Sequence, residues 1–252
     1  MRRQYGVLTA VLNFAVASDI ILRSPARGVK LPAVGVRHRR VLQPAELEAL
    51  AEELEESCSS GLMVYMGAVL GMRWGECAGL RVEHFNFADR SLTISNQRTR
   101  GWGGRMIEQP PKSEAGRRTL SLPDALMDLL AAHMARRGIT AADPDACLFV
   151  GPEGLPLEYS GFRQRRWLPA RAAIGRPDLE FHDLRRTNAT SMVQAGVDMK
   201  TAQSRLGHSD PRLTLGIYAQ TTTAADRKAA TVLAERLMPD PNGRSRPAAD
   251  VR

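Results

Sequence analysis

Residues 92–122 read LTISNQRTRGWGGRMIEQPPKSEAGRRTLSL, and their pattern sets this stretch apart from everything around it. Leu92-Thr93-Ile94 alternates apolar and polar side chains, Gly101 to Gly104 forms a turn, and Arg118-Thr119-Leu120-Ser121-Leu122 alternates again. Successive side chains of a strand point to opposite faces, so a two-residue apolar period describes strands with one buried face. The stretch reads as a small antiparallel sheet. Towards the N-terminus, Pro44 suits the first turn of a helix that continues through Leu47, Leu50 and Leu54, with its Glu residues towards the positive end of the dipole. A second helix covers about 60–70 and a short third starts near Trp74. Towards the C-terminus, Pro123 opens a helix to about Arg137, and Leu148-Phe149-Val150 adds a short buried strand. Helical segments follow near 159–173, 182–194, 198–206 and 222–238, separated by Gly196, Gly207 and Pro211. The expected fold class is α+β, mainly α-helical with one small antiparallel sheet.

The ends read differently. Tyr5, Leu8, Val11, Leu12 and Ala15 follow helical i, i+3, i+4 spacing, which predicts a first helix over roughly 5–22. Met1-Arg2-Arg3 before an apolar run ending in Ala15-Val16-Ala17 has the outline of a signal peptide, but Gln4 and Asn13 interrupt it. Leu31-Pro32 through Arg40 is a basic, Gly-containing linker, and the tail from Pro239 is expected to be disordered. The expected organisation is therefore 1–40 as a helix and linker, 41–238 as the main domain, and 239–252 as the tail. The apolar run Leu62 to Met72 is too short to span a bilayer. Three cysteines, Cys58, Cys77 and Cys147, without CxxC spacing argue against a disulfide framework and a zinc site, and point to a reducing cytoplasm.

Charge narrows the partner. Lys plus Arg number 35 against 27 Asp plus Glu, a formal +8, and the excess is banded over 1–40, Arg98 to Arg118 and Arg163 to Arg186. Segregated positive charge suits a polyanion, nucleic acid being the commonest, although a solvated basic surface explains charge alone equally well.

Several residues have chemistry to offer, each with a plain structural alternative. Arg73 lies in Gly71-Met72-Arg73-Trp74-Gly75-Glu76 at a helix start, where Glu76 can pair with it or cap the helix. Lys112 lies in Pro110-Pro111-Lys112-Ser113, in a turn joining strands, where lysines are usually just solvated. His182 and Arg185, three apart in His182-Asp183-Leu184-Arg185, share a helical face, and Asp183 or Asp178 could make His182 a capped structural histidine. His208 follows Leu206-Gly207, and Tyr218 comes ten residues later in Gly216-Ile217-Tyr218-Ala219, where a half-buried packing role is the bland reading.

Taken together, and in order, these segments resemble the boxes of the tyrosine recombinase, or phage integrase, family over about residues 40–225. The wording agrees as well: PPKSEAGRRTLSLP at the lysine hairpin, HDLRRT at the second box and LGHSDPRLTLGIYAQ at the last. The resemblance implies that Arg73 is the first catalytic arginine, Lys112 the hairpin lysine, His182 and Arg185 the HxxR pair, His208 the second histidine and Tyr218 the nucleophile. Arg186 departs from the histidine common in the family, at a position that is not catalytic there. The family implies double-stranded DNA as partner, tetramers of protomers on paired sites, accessory DNA-bending or directionality proteins, and a nucleoid-associated setting in a bacterium or phage. It also implies a helical core-binding domain before the catalytic one. The run LNFAVASDIILRSPARGVKLP resembles that domain's last helix and its connection, so residues 1–40 are expected to be its remnant.

The residue types suit the implied chemistry. Attack on a phosphodiester passes through five-coordinate phosphorus whose equatorial oxygens gain negative charge. Arg73 and Arg185 are planar forks able to face two non-bridging oxygens, and His208 can add a hydrogen bond. Lys112 would protonate the leaving 5′ oxygen, and His182 would assist the phenol of Tyr218. No cofactor is implied, and His38, His84 and His133 are too scattered to suggest a metal site. Two other functions remain open at this point: a DNA-binding protein of the same fold that does not cut, and a type IB topoisomerase that relaxes DNA without choosing a site.

Overall fold

The structure, a computed structural model, describes residues 2–32, 41–101, 103, 105–111, 113–151 and 154–218. The linker segment 33–40, the expected helix near 222–238 and the tail 239–252 lie outside the described residues. The chain divides into two units, Met1–Arg39 and Arg40–Arg252.

In the first unit, α1 spans Arg2–Ala17, with the Tyr5 hydroxyl donating to the Ala26 carbonyl at 2.6 Å. The helix is shorter than the apolar spacing predicts. Asp19 adopts φ +56°, and the amides of Asp19 and Ile20 turn back to the carbonyls of Val16 and Ala15. A left-handed residue just past the last turn ends a helix whatever apolar residues follow it.

The second unit carries the sheet and most of the helices. α2 (Pro44–Cys58) starts with Pro44 at its first position, and the Glu46 carboxylate accepts from the Gln43 amide at 2.7 Å. α3 (Leu62–Val69) is almost wholly buried and forms the centre of the core. It packs on α2 and on α8 (Phe181–Gln194), where Gly67 gives Leu184 room: a Cβ there would lie 2.9 Å from the leucine side chain. α4 (Trp74–Ala78) follows a glycine turn, and its Trp74 ring meets Tyr159 edge-on at 4.9 Å.

Two small sheets come next where the sequence suggested one. β1 (Phe85–Asn86), β2 (Ser91–Ile94) and β5 (Arg118–Ser121) form an antiparallel sheet in the order β1-β2-β5. Leu92 pairs with Leu120 and Ile94 with Arg118, all four facing the interior, while Thr93 and Thr119 face outward with their hydroxyls 3.0 Å apart. β3 (Gln97–Arg100) and β4 (Met106–Gln109) form a separate hairpin around the Gly101–Gly104 region. Its polar residues show no apolar alternation, which is why periodicity does not reveal these strands. Glycine holds it against α4, since a Cβ on Gly75 would sit 2.5 Å from the Arg98 carbonyl oxygen.

α5 (Asp124–Arg137) ends at Gly138 with φ +64°. The expected strand Leu148–Val150 is absent: Cys147 and Val150 make only isolated bridges, although Leu148 and Phe149 are buried as foreseen. α6 (Tyr159–Phe162) runs through a π turn, Arg163–Trp167, into α7 (Leu168–Ala173). Pro169 cannot donate to the Arg165 carbonyl, and a widened turn is a common accommodation of such a gap. α9 (Met199–Leu206) is capped by the Asp198 carboxylate on the Thr201 amide at 2.9 Å and ends at Gly207. Pro211, expected only to separate helices, instead opens α10 (Pro211–Tyr218), with the Asp210 carboxylate accepting from the Arg212 amide at 2.9 Å. Among the described residues no helix is long and apolar enough to cross a membrane.

Candidate active site

Four of the six residues singled out in the sequence converge on the C-terminal end of α9. Arg73 stands just before α4, held there because Gly71 takes φ +67°, where a Cβ would collide with Asn188 Oδ1 at 2.7 Å and Leu206 Cδ2 at 2.9 Å. Asn188 itself, on α8, donates to the carbonyls of Ala68 and Val69, so the turn and α8 are locked together. His182 sits on the first turn of α8 and Arg185 at the start of its second, and His208 directly follows Gly207.

The last carbonyls of a helix have no partners within it and form the negative end of its dipole. Here three consecutive carbonyls each accept from a different guanidinium. Arg118 Nε donates to Arg205 O at 2.7 Å, Arg185 Nη2 to Leu206 O, and Arg73 Nη2 to Gly207 O at 3.4 Å. Arg185 Nη1 also donates to Gly71 O at 2.5 Å, which ties the glycine turn to the same cluster. Gly207, with φ +61°, is required for this approach, because a Cβ would lie 2.7 Å from Ala115 O and 3.0 Å from Arg118 Nη1.

Glu76 is the carboxylate hydrogen-bonded within the cluster. It is 1% exposed and accepts from Arg73 Nη1 at 2.7 Å and the Arg73 amide at 2.9 Å. It also accepts from Arg118 Nη1 at 3.1 Å and Nη2 at 2.9 Å. Burial would raise its pKa, but the hydrogen bond and charge of Arg118, followed by Arg73, outweigh burial and hold it below the ordinary carboxylate range. With Glu76 ionised, three guanidiniums face one carboxylate, leaving net positive charge in a poorly solvated place.

That excess shows in the neighbours. Burial, then the charges of Arg73 and Arg118, push Arg185 down to about 9, still cationic at neutral pH. Burial, then the positive charges of Arg185 and Arg73, push His208 down to about 4, so its ring is neutral. Its Nδ1 lies 2.9 Å from the hydroxyl of buried Thr214 on α10, and its carbonyl accepts from Gln203 Nε2 at 3.0 Å. His182 keeps access to solvent, and partial desolvation with the Arg185 charge lowers its pKa too.

Lys112 lies outside the described residues, between Pro111 and Ser113. The turn that follows it, Glu114–Gly116, is tied to the cluster through Gly116 O, which accepts from Arg118 Nη1 at 3.1 Å. Tyr218 is the last residue of α10, which packs on α8 and α9; its side chain lies outside the described ones. Among the described residues no group of three or more His, Cys, Asp or Glu side chains is placed to hold a metal ion.

Sequence reasoning passed over Arg118. The signal was present, since Arg118, Leu120 and Leu122 share the inward face of one alternating strand, and a cation at a core position demands a buried partner.

A family model described as "Phage integrase family" matches residues 40–225. Over 237 residues the chain is 31% identical to the integrase of Mycobacterium phage L5, covering 93% of this chain and 62% of the relative. It is 32% identical to the integrase of Mycobacterium phage FRAT1, covering 93% of this chain and 69% of that protein. The chain thus spans about two thirds or less of these relatives' length. Among solved structures, the Tn1549 transposon integrase in complex with transposon right end DNA superposes with a TM-score of 0.76 at 20% identity, covering 92% of this chain and 78% of that one.

Proposed function

The chain belongs to the phage integrase family, and on that premise we propose that it is the catalytic part of a site-specific recombinase acting on double-stranded DNA. The observation that carries the proposal is the gathering of Arg73, Arg185, His182 and His208 at the end of α9, with a positive excess that one buried carboxylate does not cancel.

In the proposed step the Tyr218 oxygen forms a bond to phosphorus and the bond from phosphorus to the 5′ oxygen breaks. The phenolic proton passes to neutral His182, whose depressed pKa leaves its ring free to accept it. The leaving 5′ oxygen takes a proton from Lys112. Arg73 and Arg185 face the non-bridging oxygens. His208 Nδ1 lies 2.9 Å from the Thr214 hydroxyl; the step uses the tautomer in which Nδ1 accepts from that hydroxyl and Nε2 carries the proton, donating it to a third position. A fixed donor of this kind contributes about 10²–10³ in rate. The product is a 3′-phosphotyrosyl ester that keeps the energy of the broken bond, so a 5′ hydroxyl from a second duplex can reverse the step without ATP. Residues 41–238 form the catalytic domain in this reading, with tetramers on paired sites, accessory DNA-bending proteins and a cytoplasmic, nucleoid-associated setting.

The test uses a library of supercoiled plasmids, each carrying two copies of one randomised insert. Insert-dependent strand exchange supports the proposal. Relaxation regardless of insert identifies a type IB topoisomerase instead, and neither outcome with Tyr218 intact identifies a DNA-binding protein that does not cut.

A further inference from the structure

Arg118 is 4% exposed at its side chain, so it cannot reach a DNA phosphate, yet it joins three segments around the site: α4, the end of α9 and the turn after Lys112. Its Nη atoms grip both oxygens of Glu76, its Nε grips Arg205 O at the end of α9, and Nη1 also reaches Gly116 O in the turn after Lys112. Glu76 is shared: the same two oxygens accept from the side chain and amide of Arg73, whose side chain is 39% exposed.

A lone carboxylate beside Arg73 would neutralise most of the charge that Arg73 has to offer a phosphate. Attraction at about 3 Å is strong wherever water is excluded, so the partition of that single negative charge matters. We propose that Arg118 is a positioning residue that takes up the Glu76 charge, leaving the cation of Arg73 available to the scissile phosphate. This rests on the recombinase reading above. Loss of Arg118 lets Glu76 turn wholly onto Arg73, and the transition state then loses the positive charge that its equatorial oxygens need. The deficit must therefore depend on the charge of the phosphate, which a merely structural role does not require. It must also be relieved by removing the Glu76 charge as well.

The experiment compares the full 252-residue chain, Arg118→Met, and the double variant Glu76→Gln with Arg118→Met. Thermal melting checks folding, and duplex affinity is measured separately. Single-turnover adduct formation is followed on a nicked duplex that the unsubstituted chain cleaves, and on the same duplex with a neutral methylphosphonate at the scissile position. Arg118→Met is expected to lose about 10²-fold on the diester and less than about tenfold on the methylphosphonate. The double variant is expected within about tenfold of the unsubstituted chain on the diester. Equal deficits on both substrates, an Arg118→Met rate within about tenfold of the unsubstituted chain on the diester, or a double variant slower than about tenfold below it overturns the inference. If Arg118→Met does not fold, the double variant decides alone by the same limit. Absence of any adduct from the unsubstituted chain overturns the recombinase reading and this inference with it.

Discussion

Replacing Glu76 by Gln changes one atom and removes the carboxylate on which the arginine cluster is built. The carboxylate is 1% exposed and accepts four hydrogen bonds, two from Arg73 and two from Arg118. Glutamine keeps the volume, but its amide nitrogen faces guanidinium donors and cannot accept from them. Arg118, 4% exposed, is left as a buried cation without a counterion. Breaking a buried pair on one side costs about 3–5 kcal/mol. For a domain of this size, each kcal/mol moves Tm by about 2–4 °C, so the melting point should fall by about 6–20 °C. Differential scanning calorimetry of both proteins above neutral pH measures it. The double variant with Arg118→Met should recover most of the loss, because the orphaned charge goes too. The sign with pH follows from the depressed pKa of Glu76. Its contribution is present above the unfolded value of about 4.3 and is lost as pH falls through the folded one, so the difference between the two proteins must shrink in acid. A drop in Tm under about 2 °C near neutral pH would refute this description of the cluster.

Gly207→Ala should cost about 1–2 kcal/mol for the left-handed backbone alone, with more from the contact at 2.7 Å with Ala115 O, measured by urea denaturation. Thr214→Val keeps the shape but removes the partner of His208 Nδ1; stability should fall by about 1 kcal/mol and adduct formation by about tenfold or more, measured side by side. His133 is buried with Nε2 2.8 Å from Leu148 O and Nδ1 unpartnered, and burial lowers its pKa. It therefore supports the fold fully above about pH 6.5 and costs stability as pH falls towards its folded value, so His133→Phe should flatten the acid fall of Tm by up to about one proton's linkage. Leu148 O keeps a donor in that variant, Arg137 Nη1 at 3.0 Å.

Much of this architecture was legible because it rests on local rules. Pro44, Pro123 and the alternation of Leu92, Ile94, Leu120 and Leu122 announce their elements directly. The hairpin β3–β4 was not legible, since its cohesion comes from cross-strand polar pairs such as Arg98 with Glu108 and from close approach to Gly75. Pro211 was read as a break because proline both ends and begins helices, and the Asp210 cap decides which. The candidate residues could be named from spacing, but not the manner in which they are held. The capping of Arg205, Leu206 and Gly207 carbonyls by three arginines joins positions that are more than 80 residues apart for Arg118 and Arg205, separated by 87. No periodicity encodes such a contact. Arg118 was the exception, marked by its own inward register.

The central claim is that Tyr218 joins covalently to DNA. Nicked duplexes with randomised cores, in which the released 5′ fragment diffuses away, trap such an adduct, and mass spectrometry of the digested complex locates the attachment. The account predicts a DNA-linked peptide containing Tyr218 and no adduct from Tyr218→Phe. An adduct on Tyr5, Tyr65 or Tyr159, or one that survives in Tyr218→Phe, would contradict it.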